Sequence, residues 1–126
     1  MQKLPEAELE IMLAIWQTTG QVSRAYFDRK LAHRRWNTNT LNTLLSRLQE
    51  KGFLAAERKG RENLYHALIE QEAYRRFESS SILERLYDNS IKNFVLSLAH
   101  TDALEEEDIE ELQQYLARLQ EGGSDD

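Results

Sequence analysis

Between Phe53 and Ile69 the spacing of apolar residues changes. Within FLAAERKGRENLYHALI, Leu64, His66 and Leu68 alternate with Tyr65, Ala67 and Ile69, whereas on either side apolar residues recur every three or four positions. Alternation is the period of a strand, and the flanking spacing is that of a helix. Lys59-Gly60-Arg61 interrupts the alternation with a turn signal. The segment therefore reads as a hairpin, about 53–58 and 63–68, with a charged tip.

Three helices precede it. In LPEAELEIMLAIWQTTG, Pro5 suits a first helical turn, and Leu9, Met12, Leu13 and Trp16 lie at helical spacing. Glu6, Glu8 and Glu10 fall where the helix dipole favours acids, and Glu8 and Glu10 read as helix-surface residues. Gly20 closes the segment, which predicts a helix over about 6–18. In VSRAYFDRKLAHR, Ser23 is the expected cap, Tyr26, Phe27 and Leu31 form the apolar face, and the helix spans about 24–34. In WNTNTLNTLLSRLQEKG, Leu41, Leu44, Leu45 and Leu48 form one stripe, Asn37 or Thr38 caps the start and Gly52 stops the end. Three helices and a hairpin in about 70 residues make the winged-helix form of helix-turn-helix, a fold-level inference.

From Gln71 onward the pattern is helical again. Tyr74, Phe77, Ile82, Leu83, Leu86 and Tyr87 form one stripe, Ile91, Phe94, Val95 and Leu98 a second, and Ile109, Leu112, Leu116 and Leu119 a third. Glu105-Glu106-Glu107-Asp108 puts acids at the positive end of the last helix. The expected class is mainly α. A winged-helix DNA-binding domain occupies 4–70, a helical dimerisation region 71–121, and a disordered tail, GGSDD, 122–126. A thin set of helices has too little chain of its own to cover three stripes. Tyr74, Phe77, Leu83, Leu86, Tyr87, Phe94, Val95 and Leu98 would leave a larger apolar patch than monomers usually expose. With Ile109, Leu112 and Leu116 they form the expected homodimer contact.

The first half of the third helix is rich in poor helix formers: Asn37, Thr38, Asn39, Thr40, Asn42 and Thr43. One of them would suffice as a cap. At about 100° per residue, Asn39, Thr43, Ser46 and Glu50 point away from the leucine stripe, with Asn42 and Arg47 flanking them. That is the geometry of a recognition helix, whose N-terminal residues meet base edges in the major groove. Asn pairs with adenine, and Thr bonds an edge or touches a thymine methyl. The expected DNA contacts are Thr38, Asn39, Thr40, Asn42, Thr43, Ser46 and Arg47 on this helix, with Lys59 and Arg61 on the hairpin tip. Arg24, Arg29, Lys30, Arg34, Arg35 and Arg58 add basic charge nearby.

The net charge of −6 over 126 residues argues against nucleic acid only until it is divided. Residues 1–70 hold 11 Lys/Arg against 8 Asp/Glu, and residues 71–126 hold 5 against 14. That asymmetry suggests two jobs. There is no cysteine, hence no disulfide, thiolate metal site or cysteine nucleophile. His33, His66 and His100 lack ligand spacing, and no GxSxG, P-loop or glycine-rich nucleotide fingerprint occurs. The chain is expected to be no enzyme and to hold neither metal nor cofactor. No apolar run approaches the roughly 20 residues of a membrane span, and no signal peptide opens the sequence, so a cytoplasmic protein with no membrane partner is expected.

LPEAELEIMLAIW, WNTNTLNTLLSRLQEKG, KGRENLYHAL and VLSLAHTDALEEEDIEEL together resemble the penicillinase repressor family of BlaI/MecI type, with the copper repressor CopY as a relative. The likeness runs over about 4–119. It is strongest in Ala7-Glu8-Leu9-Glu10, Ile15-Trp16, Thr40, Thr43, Arg47-Leu48, Lys51-Gly52, Gly60-Arg61 and Tyr65. The resemblance implies a bacterial transcriptional repressor. It would act as a homodimer on double-stranded operator DNA of dyad symmetry, near a resistance or stress gene. Two departures stand out. The cysteines of the copper branch are missing. The Asn-Phe bond at which a sensor-linked protease cuts the antibiotic-sensing branch aligns with Ser97 and Leu98, while an Asn93-Phe94 pair lies four residues earlier. Two other readings stay open: a winged-helix protein–protein adaptor, and a MarR-like repressor that answers to a small molecule.

Overall fold

Pro5 carries the chain into α1 (Glu6–Ile15) in a computed structural model that describes residues 1–122. The helix ends three residues before the expected Thr18. Gln17 and Thr18 donate to Ala14 and Ile15, three residues back, so the last turn tightens out of α geometry. After Gly20 at φ +82°, Val22–Ser23 forms β1, a two-residue strand too short to show any alternation.

The second helix, α2 (Arg24–Lys30), stops short of the expected residue 34. From Leu31 the chain passes into a 3-10 turn at Ala32–Arg34, and Arg35 sits in the left-handed region at φ +54°. Leu31 leaves α geometry while its side chain stays buried in the core. Helix α3 (Thr38–Glu50) begins at Asn37, whose Oδ1 accepts the Thr40 N–H at 2.8 Å. It ends on Gly52 at φ +81°. Gly52 N–H donates to the Gln49 carbonyl and Phe53 N–H to the Leu48 carbonyl, the paired bonds of a Schellman cap.

The hairpin pairs β2 (Leu54–Lys59) with β3 (Glu62–Ala67), one residue off the expected bounds at either end. Lys59 faces Glu62, so Gly60-Arg61 is a two-residue turn, with Gly60 at φ +64°. β3 is central, flanked by β1 and β2, both antiparallel to it.

The helices and sheet enclose one core. Ile11, Met12 and Ile15 of α1, Phe27 of α2, the four leucines of α3, and Phe53, Leu54 and Tyr65 are all buried. Phe27 meets Tyr65 edge-on at 5.8 Å between ring centres. This packing corrects two expectations. Tyr74 on α4 (Gln71–Tyr87), expected among the dimer contacts, is 2 % exposed. Its ring packs edge-on against Phe53 at 5.7 Å, and its hydroxyl accepts the Leu4 N–H at 2.8 Å. Burial raises the Tyr74 hydroxyl above the ordinary phenol range. Phe77, one turn on, packs partly against the same core. The first compact unit accordingly runs over 1–79 rather than ending at residue 70.

Glu8 is the second correction. It is not a surface acid: it is 1 % exposed and ion-paired with Lys51, the C-cap residue of α3. A buried carboxylate needs such a partner. The pair ties the start of α1 to the end of α3.

The second unit, from Ser80 onward, contains the end of α4, α5 (Ile91–Ala99) and α6 (Glu106–Gly122). Asp88 and Asn89 take left-handed conformations after α4, and Ser90 Oγ caps α5 by accepting the Asn93 N–H at 3.1 Å. Of the tail expected at 122–126, Gly122 instead closes α6. Residues 123–126 lie outside the described range. No described residue of this unit is buried. Among the described residues no helix is long and apolar enough to cross a membrane.

Candidate nucleic-acid interface

The leucine stripe locks one face of α3 into the core and leaves the other bare. Leu41, Leu44, Leu45 and Leu48 are buried, while Thr38, Asn39, Asn42, Thr43, Ser46 and Arg47 are exposed and Thr40 is half-buried. Asn37, Asn39, Thr40, Thr43, Leu44 and Arg47 line a shallow hollow of about 280 Å³ on that face. The polar cluster divides its work. Asn37 is spent on the cap, and the outward residues hold hydroxyls and amides in solvent.

Arg24, at the first position of α2 and absent from the expected set of contacts, reaches across to α3. One of its terminal nitrogens donates to Asn42 Oδ1 and the other to the Thr38 carbonyl at 3.2 Å. Its lone signal in the sequence was a positive charge among several. Arg34 shows how weak that signal is. Its Nε lies 3.0 Å from Glu10 Oε2, and its guanidinium stacks 4.9 Å from the Trp36 ring centre, so its charge is largely used inside the chain.

Lys59 and Arg61 stand exposed at the hairpin tip, and Arg58 Nε donates to the Gly60 carbonyl at 3.3 Å, bracing the turn. Below the tip, Arg24, Asn42, Arg61, Glu62, Asn63 and Tyr65 line a groove of about 260 Å³. Residues of α3 and of the hairpin therefore share one surface.

In the second unit, Leu86 is 70 % exposed, and Ile109, Leu112 and Leu116 are exposed as well. Leu83, Tyr87, Phe94, Val95 and Leu98 are half-buried, with Tyr87 and Phe94 in ring contact at 5.1 Å. Ile91, Leu96 and Tyr115, absent from the expected dimer set, are equally bare. Ser97 is exposed in the last turn of α5, where the Leu98 carbonyl accepts from both Thr101 N–H and Thr101 Oγ.

The sequence model of a family described as penicillinase repressor matches residues 4–118. The chain belongs to the penicillinase repressor family. That family consists of transcriptional repressors rather than enzymes. The penicillinase repressor of Bacillus licheniformis is 33 % identical over 119 residues, covering 92 % of this chain and 93 % of that one. The methicillin resistance regulatory protein MecI of Mammaliicoccus sciuri is 25 % identical over 114 residues, covering 90 % and 93 %. A crystal structure of AbfR of Staphylococcus epidermidis aligns with 92 % of this chain and 74 % of its own at a TM-score of 0.44 and 22 % identity, a likeness too loose to bear on function.

Proposed function

We propose that this member of the family binds double-stranded operator DNA as a homodimer, with one α3 in the major groove of each half-site. The observation that carries the reading is α3 itself. Its apolar face is wholly buried, while Asn39, Asn42, Thr43, Ser46 and Arg47 are bare, beside a wing that presents Lys59 and Arg61. Thr38 and Thr40 lie at the start of the same face. The homodimer rests on the uncovered apolar side chains from Leu83 to Leu116. Phe77 is assigned to that contact only in the part the core leaves open. The printed names of the relatives, penicillinase repressor and methicillin resistance regulatory protein, support an operator beside a resistance gene. A DNA target implies the cytoplasm.

The test is to bind each variant to a selected duplex and to its scrambled counterpart. Replacing Asn39 or Thr43 by alanine is expected to cost about 1–3 kcal/mol on the selected site and little on the scrambled one. Lys59→Ala and Arg61→Ala are expected to weaken both alike and to flatten the salt dependence by about 0.9 for each phosphate no longer neutralised. Equal losses on both duplexes for every Asn and Thr variant would remove the base-reading role. A protein–protein adaptor would bind neither duplex.

Induction by a sensor-linked protease would act at Ser97-Leu98 and would work by breaking the dimer. Thr101 bonds back onto the Leu98 carbonyl, so the protease would have to open that turn first. A chain ending at Ser97 lacks Leu98, Ile109, Leu112 and Leu116. It is expected to run as a monomer and to lose operator affinity. A truncated chain that stays dimeric and binds as tightly as the full one would refute this route of induction.

A further inference from the structure

Arg24 reaches from the start of α2 across to α3 and holds two acceptors at once, Asn42 Oδ1 and the Thr38 carbonyl. A guanidinium has only donors, so it can meet the Asn42 amide only at its oxygen. Its Nε is closed off from solvent with no acceptor, which leaves the two outer nitrogens to do all the bonding. Asn42 is thereby held with Oδ1 turned toward α2 and Nδ2 turned away from it. An asparagine that pairs with adenine needs both atoms, the oxygen to accept from N6 and the nitrogen to donate to N7. With its oxygen turned toward α2 and one lone pair taken by a charged donor, Asn42 presents its Nδ2 donor foremost to DNA.

We propose that Arg24 sets the base preference of Asn42, turning it from a reader of adenine into a donor that selects acceptor edges, guanine O6 and N7 or thymine O4. This rests on the DNA-binding reading above. The surroundings agree with it. Arg61 and Asn63 line the same groove as Arg24 and Asn42, and Glu62 is the only acid among its lining residues. No carboxylate pairs with Arg24 among the described residues, so the guanidinium is not drawn away from the amide.

The experiment selects duplexes from a random pool with the full-length protein and compares the base preferences of four variants. Arg24→Met keeps the stem and removes the fork, and Arg24→Ala repeats the test if the longer side chain misfolds. Asn42→Ala identifies the position that Asn42 reads, and Asn42→Ala combined with Arg24→Met completes the cycle. Melting midpoints establish that each variant is folded. The wild type is expected to prefer guanine or thymine at the position that Asn42→Ala flattens. Both Arg24 variants are expected to move that position toward adenine by about tenfold or more. Arg24→Met is expected to change it no further once Asn42 is alanine.

The proposal is overturned if the Arg24 variants weaken all duplexes alike and lower the salt slope by about one, which marks a plain phosphate contact. It is overturned equally if the wild type already prefers adenine at that position, or if Asn42→Ala flattens no position. These last two results need no folded Arg24 variant. A wild type that selects no sequence at all removes the DNA-binding reading itself, a different outcome.

Discussion

Changing Leu86 to aspartate is expected to halve the sedimenting mass, from two chains to one. Leu86 is 70 % exposed in the single chain, so an aspartate there disturbs no packing within it. Stability of the folded chain is therefore not the quantity at risk. In a dimer the same side chain would sit among Ile109, Leu112 and Leu116 or their equivalents, and an unpaired charge buried there costs several kcal/mol. At about 1.4 kcal/mol per tenfold, a cost of about 4 kcal/mol weakens association about 1,000-fold. Operator affinity follows, because two linked recognition helices gain about 100- to 10,000-fold over one. The helical signal in circular dichroism should remain. A Leu86→Asp protein that sediments as two chains and binds its operator normally would place the dimer contact elsewhere.

The second large effect lies in the first unit. Lys51→Met removes the partner of Glu8 and leaves a carboxylate with 1 % exposure and no opposing charge. Breaking a buried pair from one side costs about 3–5 kcal/mol. Small domains hold only about 5–15 kcal/mol in total. The melting midpoint should fall by about 15 °C or more at one fixed chain concentration. Combining it with Glu8→Leu removes the stranded charge, and most of the stability should be recovered, since an apolar pair of similar volume is often neutral. A Lys51→Met protein that melts with the wild type would show that water reaches Glu8.

The elements that were legible in the sequence are those with a strong local signature. Four leucines at one helical stripe, a cap at Asn37 and a stop at Gly52 mark α3, and its bare face then follows from arithmetic. β1 was not legible because two residues carry no period. Glu8 was not legible for another reason. An acid in a first helical turn looks the same whether it serves the dipole or a lysine 43 positions on. Tyr74 and Leu83 fall on one continuous stripe, and periodicity alone does not say which part of a stripe turns to its own core. Arg24 was visible as a charge, but its bond to Asn42 depends on how α2 packs on α3.

Several cations of the first unit are already engaged: Lys51 with Glu8, Arg34 with Glu10 and Trp36, Arg24 with Asn42 and Thr38. Binding to arbitrary DNA comes almost entirely from free cations that displace counterions. A chromosome offers about a million or more competing sites, and a repressor rich in free lysines would spend its time on them. In this chain acids neutralise Lys51 and Arg34, and residues 71–126 carry 14 acids against 5 bases. Its residence on irrelevant DNA should be brief, so a small number of molecules per cell can keep an operator filled.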